Sequence, residues 1–259
     1  MFIAMLGHPS FESYDLTSLR TGIMAGSPCP IEVMKQCIER MNMDEVTICY
    51  GMTETSPVST QSATDDPVDK RTGTVGRVHP HVEIKIVHPE TGATVERGET
   101  GEFCTRGYSV MLGYWEQPEK TAEAVDEDGW MHTGDLALMR DDGYCNIVGR
   151  IKDMVIRGGE NIYPREIEEF LYTHPDVADV QVVGVPDEKY GEELCAWVRM
   201  RAGATPLDAE AVRTFATGKL THYKIPRYVV IVDEFPMTVT GKIRKVEMRE
   251  ESVHLLGLA

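Results

Sequence analysis

The first clear pattern of apolar positions along the chain has the spacing of a helix, and the pattern that follows it is that of a strand. In the segment PIEVMKQCIERM, apolar residues recur from Ile31 to Met41 at the spacing of one helix face. The segment EVTICY follows closely, has the composition of a buried strand and ends at Tyr50. A helix followed by such a strand predicts an α/β arrangement for residues 1–70.

The pattern changes near residue 71, where short and often alternating segments are separated by turn signals. The segments are VEIKIV, GEFCTR, ALMR and YCNIVG, and the turns contain ETGA, RGETG and DDG. The Asp-Asp-Gly turn at 141–143 is expected to close a hairpin between the last two strands. This pattern therefore predicts a small β-barrel or a sandwich for residues 71–150.

A third pattern begins near Gly149. Pro164 opens the segment YPREIEEFLYTHP, whose apolar residues share one helix face. Two strands (VADVQVVGV and ELCAWVRM), a helix (DAEAVRTFATGKL) and a further strand (RYVVIVDEF) follow. This order predicts a compact α+β unit over residues 151–259, and the charged segment GRIKDM is the expected boundary between this unit and residues 1–150.

Composition narrows the class of protein. The 259 residues have a formal net charge of −16, which argues against nucleic acid as a main partner because phosphate backbones need a basic face. The simplest interpretation of the acidity is solubility. No run of eighteen apolar residues exists, so no membrane-spanning segment is predicted. The six cysteines are scattered without a Cys-x-x-Cys pair, so reduced thiols and a cytoplasmic location are expected.

The segment CYGMTET combines several groups that could bind a nucleotide at the end of a predicted strand. Tyr50 offers a ring for stacking on a base, and Gly51 is flexible. Thr53 and Glu54 offer oxygen atoms that could hold phosphate and Mg²⁺, since hard cations prefer oxygen ligands. Taken alone, the segment is equally consistent with an ordinary polar loop after a strand.

Three further segments contain candidate binding residues. Asp135 in HTGD could accept two hydrogen bonds from a ribose diol, or it could be a turn residue. Arg150 in GRIKD has a forked cation suited to phosphate or ribose oxygens, or it is a solvated surface charge. Gly158 and Gly159 in RGGEN permit close approach of a ligand to the backbone, or form a tight turn.

The segment MTVTGKIRK contains a Gly-Lys pair of the kind that ends a phosphate-binding loop. The full loop also needs a glycine five positions earlier and a hydroxyl residue after the lysine. Pro236 and Ile243 occupy these two places, so the match fails. Gly241 and Lys242 are then either a basic surface turn or a lysine with another chemical role.

In their order and spacing, these segments resemble the successive motifs of the adenylate-forming enzymes. The matching segments are GSPCP, YGMTE, HTGD, GRIKDMVIRGGENIYPREIE and PMTVTGKIRK, and together they cover essentially the whole chain. The family includes acyl-CoA synthetases, the adenylation domains of peptide synthetases and firefly luciferase. The segment GGENIYPREIEEFLYTHPDV is most similar to the fatty-acyl-CoA synthetase branch.

The resemblance implies a fold in which a large N-terminal domain ends in a β-barrel and is followed by a small, mobile α+β domain. Residues 1–150 would be the C-terminal portion of the AMP-binding domain, made of an α/β remnant over 1–70 and the barrel over 71–150. Residues 151–259 would be the mobile lid. The family's Ser/Thr/Gly-rich phosphate loop ending in Pro-Lys-Gly is not found. The chain is therefore expected to be the C-terminal part of a longer enzyme and inactive by itself.

The resemblance also implies roles for residues of the first domain. Tyr50 would stack on adenine, with Gly26 and Ser27 along the other side of the base. Thr53 would contact phosphate, and Glu54 would bind Mg²⁺.

The ribose and the hinge between the domains have implied residues as well. Asp135 and Arg150 would hold the ribose, and Gly51 belongs to the same nucleotide site. Lys152 would be the pivot about which the lid rotates.

The second domain would contribute one catalytic residue and a tunnel lining. Lys242 would place its ammonium between the substrate carboxylate and the α-phosphate, and Gly241 would let its loop enter the site. After rotation, Gly158 and Gly159 would line the pantetheine tunnel, and Arg157 would meet phosphates of CoA.

The implied function is an ATP-dependent acyl-CoA synthetase, which converts a fatty acid, ATP and CoA to acyl-CoA, AMP and pyrophosphate through an acyl-adenylate. ATP, Mg²⁺ and CoA are the implied cofactors, and a medium- or long-chain fatty acid is the implied substrate. Two alternatives remain at this stage. One is a catalytically silent module that binds nucleotide or CoA, which the missing phosphate loop favours. The other is an adenylation domain that loads a carrier protein, against which GGENIYPREIE argues.

Overall fold

The computed structural model describes residues 1–26, 29–239 and 241–258. The predicted helix is α2 (Ile31–Met41), and it connects the parallel strands β1 (Thr21–Met24) and β2 (Glu45–Tyr50). Its inward face is buried in the core of residues 1–148 because its apolar residues share one side. The α/β prediction for the start of the chain is therefore confirmed.

The chain divides into two compact units, Met1–Val148 and Gly149–Ala259. The first unit contains two sheets. One has the order β1-β2-β3-β4, and its last two strands are antiparallel to their neighbours. Its remaining elements are α1 (Phe2–Leu6), β3 (Thr60–Gln61), α3 (Val68–Gly73) and β4 (Arg77–Val78).

The second sheet of the first unit has the order β5-β6-β7-β8 and is antiparallel. Its elements are β5 (Val82–Val87), β6 (Gly101–Gly107), α4 (Pro118–Ala124), β7 (Met131–Met139) and β8 (Cys145–Arg150). The predicted hairpin between the last two strands is confirmed, since Arg140 N–H donates to the Tyr144 carbonyl at 2.8 Å.

The predicted barrel over 71–150 is not closed among the described residues. They form an open sheet in which β5 and β8 are the two edges. A barrel whose interior is filled by side chains needs about eight strands, and four are too few to curl back on themselves.

The second unit is a five-stranded sheet with helices. Its strand order is β10-β9-β12-β11, and β13 pairs with β12 in parallel. Its strands are β9 (Val155–Arg157), β10 (Glu160–Ile162), β11 (Val177–Asp187), β12 (Gly191–Met200) and β13 (Tyr228–Ile231). Its helices are α5 (Pro164–Tyr172), α6 (Ala209–Ala216) and α7 (Lys245–Leu256).

The central strands of this sheet are apolar on both faces, which explains their nearly continuous apolar sequence. On β11, Val180 and Val182 pack in a cluster with residues of α5 and α6, while Val183 and Val185 pack in a second cluster with Met248 of α7. Neighbouring residues point to opposite faces of a strand, so each face buries alternate positions. Among the described residues, no helix combines the length and apolarity needed to cross a bilayer.

The last helix, α7, has no counterpart among the elements predicted from the sequence. Its apolar residues do not fall on one face, and Met248 and Ser252 are its buried residues. Ser252 accepts a hydrogen bond from the Trp197 indole N–H at 2.8 Å and donates to the Met248 carbonyl at 2.6 Å. A polar anchor of this kind leaves no apolar periodicity for sequence analysis to detect.

An ion pair fixes the start of α7 to α5 and β11. Lys245 Nζ donates to Glu168 Oε1 at 2.6 Å and to the Val182 carbonyl at 3.1 Å. Glu168 Oε1 also accepts the Val182 N–H at 2.8 Å, and its side chain is only 5% exposed. Each buried charge therefore has several partners, which is the condition under which such a pair is tolerated.

We expect Glu168→Ala to destabilise the second unit by about 3 kcal/mol, because it leaves the Lys245 ammonium without its counter-charge and the Val182 N–H without its acceptor. The matched control on the same helix is Glu166→Ala, since Glu166 is 46% exposed and pairs with Lys224. The control should cost less than about 1 kcal/mol. Hydrogen-exchange mass spectrometry of peptides from β11 measures both effects, and equal losses in the two variants would contradict the role of Glu168.

Candidate active site

The Tyr50 side chain lies at the end of β2 and contacts the other sheet of the first unit. Its hydroxyl donates a hydrogen bond of 2.7 Å to Asp135 Oδ2. Its ring packs edge-on against Phe103, with the ring centroids 4.9 Å apart. Two residues that sequence analysis selected 85 positions apart are thereby brought into direct contact.

A register shift between β6 and β7 sets the position of Asp135. Glu102 pairs with Leu136 and Cys104 pairs with His132, so one residue of β6 faces the three residues 133–135 of β7. The two extra residues form a bulge, which bends the strand and redirects its side chains. The HTGD segment thus lies in the first half of β7, and Asp135 is part of the bulge.

Hydrogen bonds compensate for the ladder bonds that the bulge disrupts. Gly134, at φ +69°, donates its N–H to Glu102 Oε1 at 3.0 Å. Thr133 Oγ1 donates to the Phe103 carbonyl at 2.7 Å and accepts the Asp135 N–H at 3.2 Å. The Asp135 carboxylate, 8% exposed, is therefore held on a fixed backbone.

The loop after Tyr50 depends on the absence of a side chain at Gly51. A Cβ atom there would lie 1.8 Å from the Pro57 carbonyl oxygen. The Thr55 hydroxyl accepts the Met52 N–H at 3.0 Å and lies 3.2 Å from the Pro57 carbonyl oxygen, which closes the loop on itself. Gly51 thus permits a close approach of backbone to backbone.

The tip of this loop presents Thr53 and Glu54. Thr53 is exposed, and Glu54 is half-buried. Tyr114 donates its hydroxyl hydrogen to Glu54 Oε1 at 2.8 Å, and this bond raises the pKa of Tyr114. The Met111 N–H donates to the Glu54 carbonyl at 2.8 Å. Sequence analysis did not select Tyr114, and no spacing rule could, because the two partners are 60 positions apart.

Gly26 and Tyr50 lie at the same edge of the first sheet. β1 and β2 are parallel, with Met24 beside Ile48, so both chains leave the sheet at their carboxyl ends there. In parallel sheets, this edge is where ligands bind. Gly26 has φ +85° and open space where a Cβ would be. Ser27 lies outside the described residues.

The remaining selected residues belong to the second unit. Arg150 is exposed at the end of β8, and the 3₁₀ turn Ile151–Asp153 follows it. Lys152 is exposed in this turn, and Arg249 donates to its carbonyl at 3.0 Å and to Asp153 Oδ1 at 3.1 Å. The predicted pivot is therefore three to four residues from the boundary between Val148 and Gly149.

Gly158 and Gly159 form the two-residue turn between β9 and β10. Their φ angles are +59° and +89°, which favours glycine at both places and closes a tight hairpin. The Gly158 N–H donates to the Tyr190 carbonyl at 2.8 Å, while Gly159 faces open space. The turn is thus tight and also leaves backbone accessible, so the two alternatives drawn from the sequence are compatible.

The neighbouring Arg157 is already engaged. Its Nε donates to Glu193 Oε1 at 2.8 Å, and its guanidinium lies 4.1 Å over the Tyr190 ring. The hydrogen bond to Glu193 raises the pKa of Arg157.

Lys242 lies in a short hairpin-like loop between the bridged residues Met237 and Ile243. Its N–H donates to Thr238 Oγ1 at 3.0 Å, and its carbonyl accepts the Thr238 N–H at 2.8 Å. Gly241 has φ +80° and donates to the Thr238 carbonyl. The Lys242 ammonium is exposed and forms no ion pair with a described residue, so it is available to a ligand.

Comparisons with known proteins identify two family models that match the chain. A model of the AMP-binding enzymes matches residues 1–115, and a model of the AMP-binding enzyme C-terminal domain matches residues 166–242. The chain belongs to this family of adenylate-forming enzymes.

Its relatives are longer than the chain itself. YngI of Bacillus subtilis, whose name places it among the acyl-CoA synthetases, is 56% identical over the whole chain, which spans 47% of that protein. The mitochondrial medium-chain acyl-CoA ligase ACSF2 of Bos taurus is 50% identical, and the chain spans 42% of it. The crystal structure of the anthranilate CoA ligase AuaEII with anthranoyl-AMP is 30% identical with a TM-score of 0.89, covering 99% of this chain and 49% of that one.

We expect Gly51→Ala to destabilise the first unit by about 2 kcal/mol, because the added methyl group forces Pro57 and the loop apart. The matched control is Gly73→Ala, where the nearest atom to a new Cβ is the end of the Arg140 side chain at 4.0 Å. Urea unfolding followed by circular dichroism measures both. A Gly51 variant as stable as the control would show that the loop can relax at no cost.

Proposed function

We propose that this chain is part of an AMP-forming acid–thiol ligase, an acyl-CoA synthetase acting on a fatty acid. The observation that supports it most directly is the hydrogen bond between Tyr50 and Asp135. It places a ring suited to a base beside a carboxylate suited to a ribose diol. The loop that bears Glu54 begins at the next residue.

The nucleotide would lie along the edge where β1 and β2 end. The Tyr50 ring is held by Phe103 and would stack on adenine, while Gly26, followed by Ser27, would lie along the other side of the base. Asp135 would accept hydrogen bonds from the ribose hydroxyls, with Arg150 contributed by the second unit. The roles of Tyr50 and Asp135 need fixed side chains, and the packing and hydrogen bonds of the first unit supply them.

Thr53 and Glu54 are suited to the triphosphate and its metal ion. A hydroxyl and a carboxylate are the oxygen ligands that Mg²⁺ prefers, so the donor set fits. Tyr114 holds one oxygen of Glu54 and leaves the other to face a ligand. When bound, the ion would supply neutralisation of phosphate charge, which is the main need in nucleotidyl transfer.

The reaction would proceed in two steps. A carboxylate oxygen of the fatty acid attacks the α-phosphorus of ATP, and pyrophosphate leaves with the electron pair of the broken P–O bond. The CoA sulfur then attacks the carbonyl carbon of the acyl-adenylate and loses its proton, and AMP leaves. Lys242 would stabilise the first transition state as a compact cation between the two reacting groups.

The second unit would serve each step with a different face. Rotation about Lys152 would exchange the Lys242 loop for the turn at Gly158 and Gly159, beside which pantetheine would pass. Arg157 would need to leave Glu193, or share it, to meet a phosphate of CoA. We further propose free CoA and a medium- or long-chain fatty acid as substrates, on the basis of the acyl-CoA ligases among the relatives. The scattered cysteines, without a Cys-x-x-Cys pair, support the cytoplasm as the location.

Binding of a non-hydrolysable acyl-adenylate analogue by the 259-residue chain tests the nucleotide site. We expect calorimetry to detect binding, and Asp135→Asn to weaken it by about tenfold or more, because a charge-assisted hydrogen bond to the ribose is lost. The control is Asp141→Asn in an exposed turn. Equal affinities of the two variants would refute the ribose assignment. Binding by this chain, combined with no pyrophosphate exchange by the longer enzyme that contains it, would indicate the silent module.

The role of Lys242 is tested in the active enzyme that contains this chain. Lys242→Ala should abolish pyrophosphate exchange and largely spare thioester formation from supplied acyl-adenylate, because its cation acts in the first step alone. Lys219→Ala, an exposed lysine of the same unit, should leave both rates unchanged. Equal loss in both half-reactions after Lys242→Ala would contradict the assignment.

A further inference from the structure

A sulfur, a nitrogen and a carboxylate converge on one face of the second sheet of the first unit, next to the bulge that carries Asp135. Glu102 and Cys104 are two positions apart on β6, so their side chains share a face. His132 on β7 is the direct cross-strand partner of Cys104. The pairing of the strands therefore assembles the group, and no sequence motif indicates it.

The separations within this cluster are those of metal ligands. Cys104 Sγ lies 3.5 Å from His132 Nδ1, and His132 Nδ1 lies 2.9 Å from Glu102 Oε2. All three donor atoms fall within 4.8 Å of one another. Tetrahedral Zn²⁺ at its usual bond lengths places a sulfur and an imidazole nitrogen about 3.5 Å apart. The separation between His132 Nδ1 and Glu102 Oε2 would need to open to about 3.4 Å.

The other ring nitrogen of His132 has the outer partner that metal-bound histidines usually have. His132 Nε2 lies 3.5 Å from Asp126 Oδ2. The Asp126 carboxylate is itself fixed, since its Oδ1 accepts the N–H groups of Asp128 at 3.0 Å and Trp130 at 2.8 Å. A carboxylate in this place orients the ring and leaves Nδ1 as the ligand atom.

The carboxylates of Glu102 and Asp126 both face His132. The cross-strand neighbour of Cys104 on β5 is Lys85. The two carboxylates outnumber this one ammonium, which favours a cation beside the ring. The cluster is not sealed, because the His132 side chain is 31% exposed. A divalent ion could reach the three donors from this side.

We propose that Glu102, Cys104 and His132 bind one Zn²⁺ ion, with water as the fourth ligand. On binding, the Cys104 S–H bond breaks, its proton passes to solvent, and a Zn–S bond forms. Sulfur and imidazole donors select a borderline metal over Mg²⁺, so this site is distinct in chemistry from Glu54. Through the other oxygen of Glu102, which holds Gly134, the ion would stabilise the bulge before Asp135.

Metal binding by the 259-residue chain tests the proposal directly, without any activity measurement. After treatment with EDTA, equilibrium dialysis at free Zn²⁺ on the order of 1 μM should give one ion per chain. Cys104→Ser and His132→Gln should each weaken Zn²⁺ binding by at least about tenfold. Loss of a group that only hydrogen-bonds to a metal ligand already weakens binding by about this factor, and loss of the ligand itself should weaken it more. The matched control is Cys49→Ser, a half-buried thiol on β2.

Co²⁺ provides a second readout, and its first measurement uses the unmodified chain. The unmodified chain with Co²⁺ should show a thiolate-to-metal charge-transfer band, which Cys104→Ser removes and Cys49→Ser retains. Absence of the band, or Zn²⁺ binding that is unchanged in the Cys104 and His132 variants, would overturn the proposal. In that case the cluster is a hydrogen-bonded pair of His132 and Glu102 with a buried thiol beside it.

Discussion

One residue of β6, Phe103, faces three residues of β7. This difference in the number of residues between two paired positions decides where the Asp135 carboxylate lies. A regular ladder would set a single residue of β7 opposite Phe103, whereas the two extra residues at 133–135 bend the strand locally and change the direction of the side chains within the bulge. Glu102 stabilises the bulge by accepting the Gly134 N–H, and Tyr50 holds the carboxylate from the other sheet. The two sheets of the first unit therefore meet at a polar contact.

The loop after Tyr50 depends on a close approach between two segments of its backbone. Gly51 lets the backbone fold against Pro57, and this fold carries Glu54 to a place where Tyr114 can hold it. Neither contact is strong alone, since a single hydrogen bond contributes about 1 kcal/mol. Together they restrict the rotamers of a carboxylate that would otherwise be free, which is what a ligand-binding residue requires.

In the second unit, the exposed Lys242 lies on a loop that leads into the anchored start of α7. Lys242 lies in a short loop, and three residues later Lys245 is tied to the buried Glu168. The loop thus joins a helix whose first residue is anchored in the core. An exposed ammonium on an anchored loop can meet a ligand with little loss of conformational freedom.

The sequence by itself determined the elements with strong periodicity and the order of the motifs. The spacing from Ile31 to Met41 predicted α2, and the order of the motifs indicated the family, because local composition and spacing are properties of the chain alone. The sequence indicated the strands of residues 71–150 but not that they form an open sheet among the described residues, because closure depends on how sheets bend. The helix α7 was missed because the Ser252 anchor is polar.

Only the tertiary structure decided which groups meet. The contact between Tyr50 and Asp135 spans 85 positions, and the approach of Cys104 to His132 depends on a register that a shift of one residue would destroy. Pairing across strands is set by packing and by hydrogen bonds distant in sequence. The chemistry of single residues can be assigned from the sequence, while their combination into a site requires the fold.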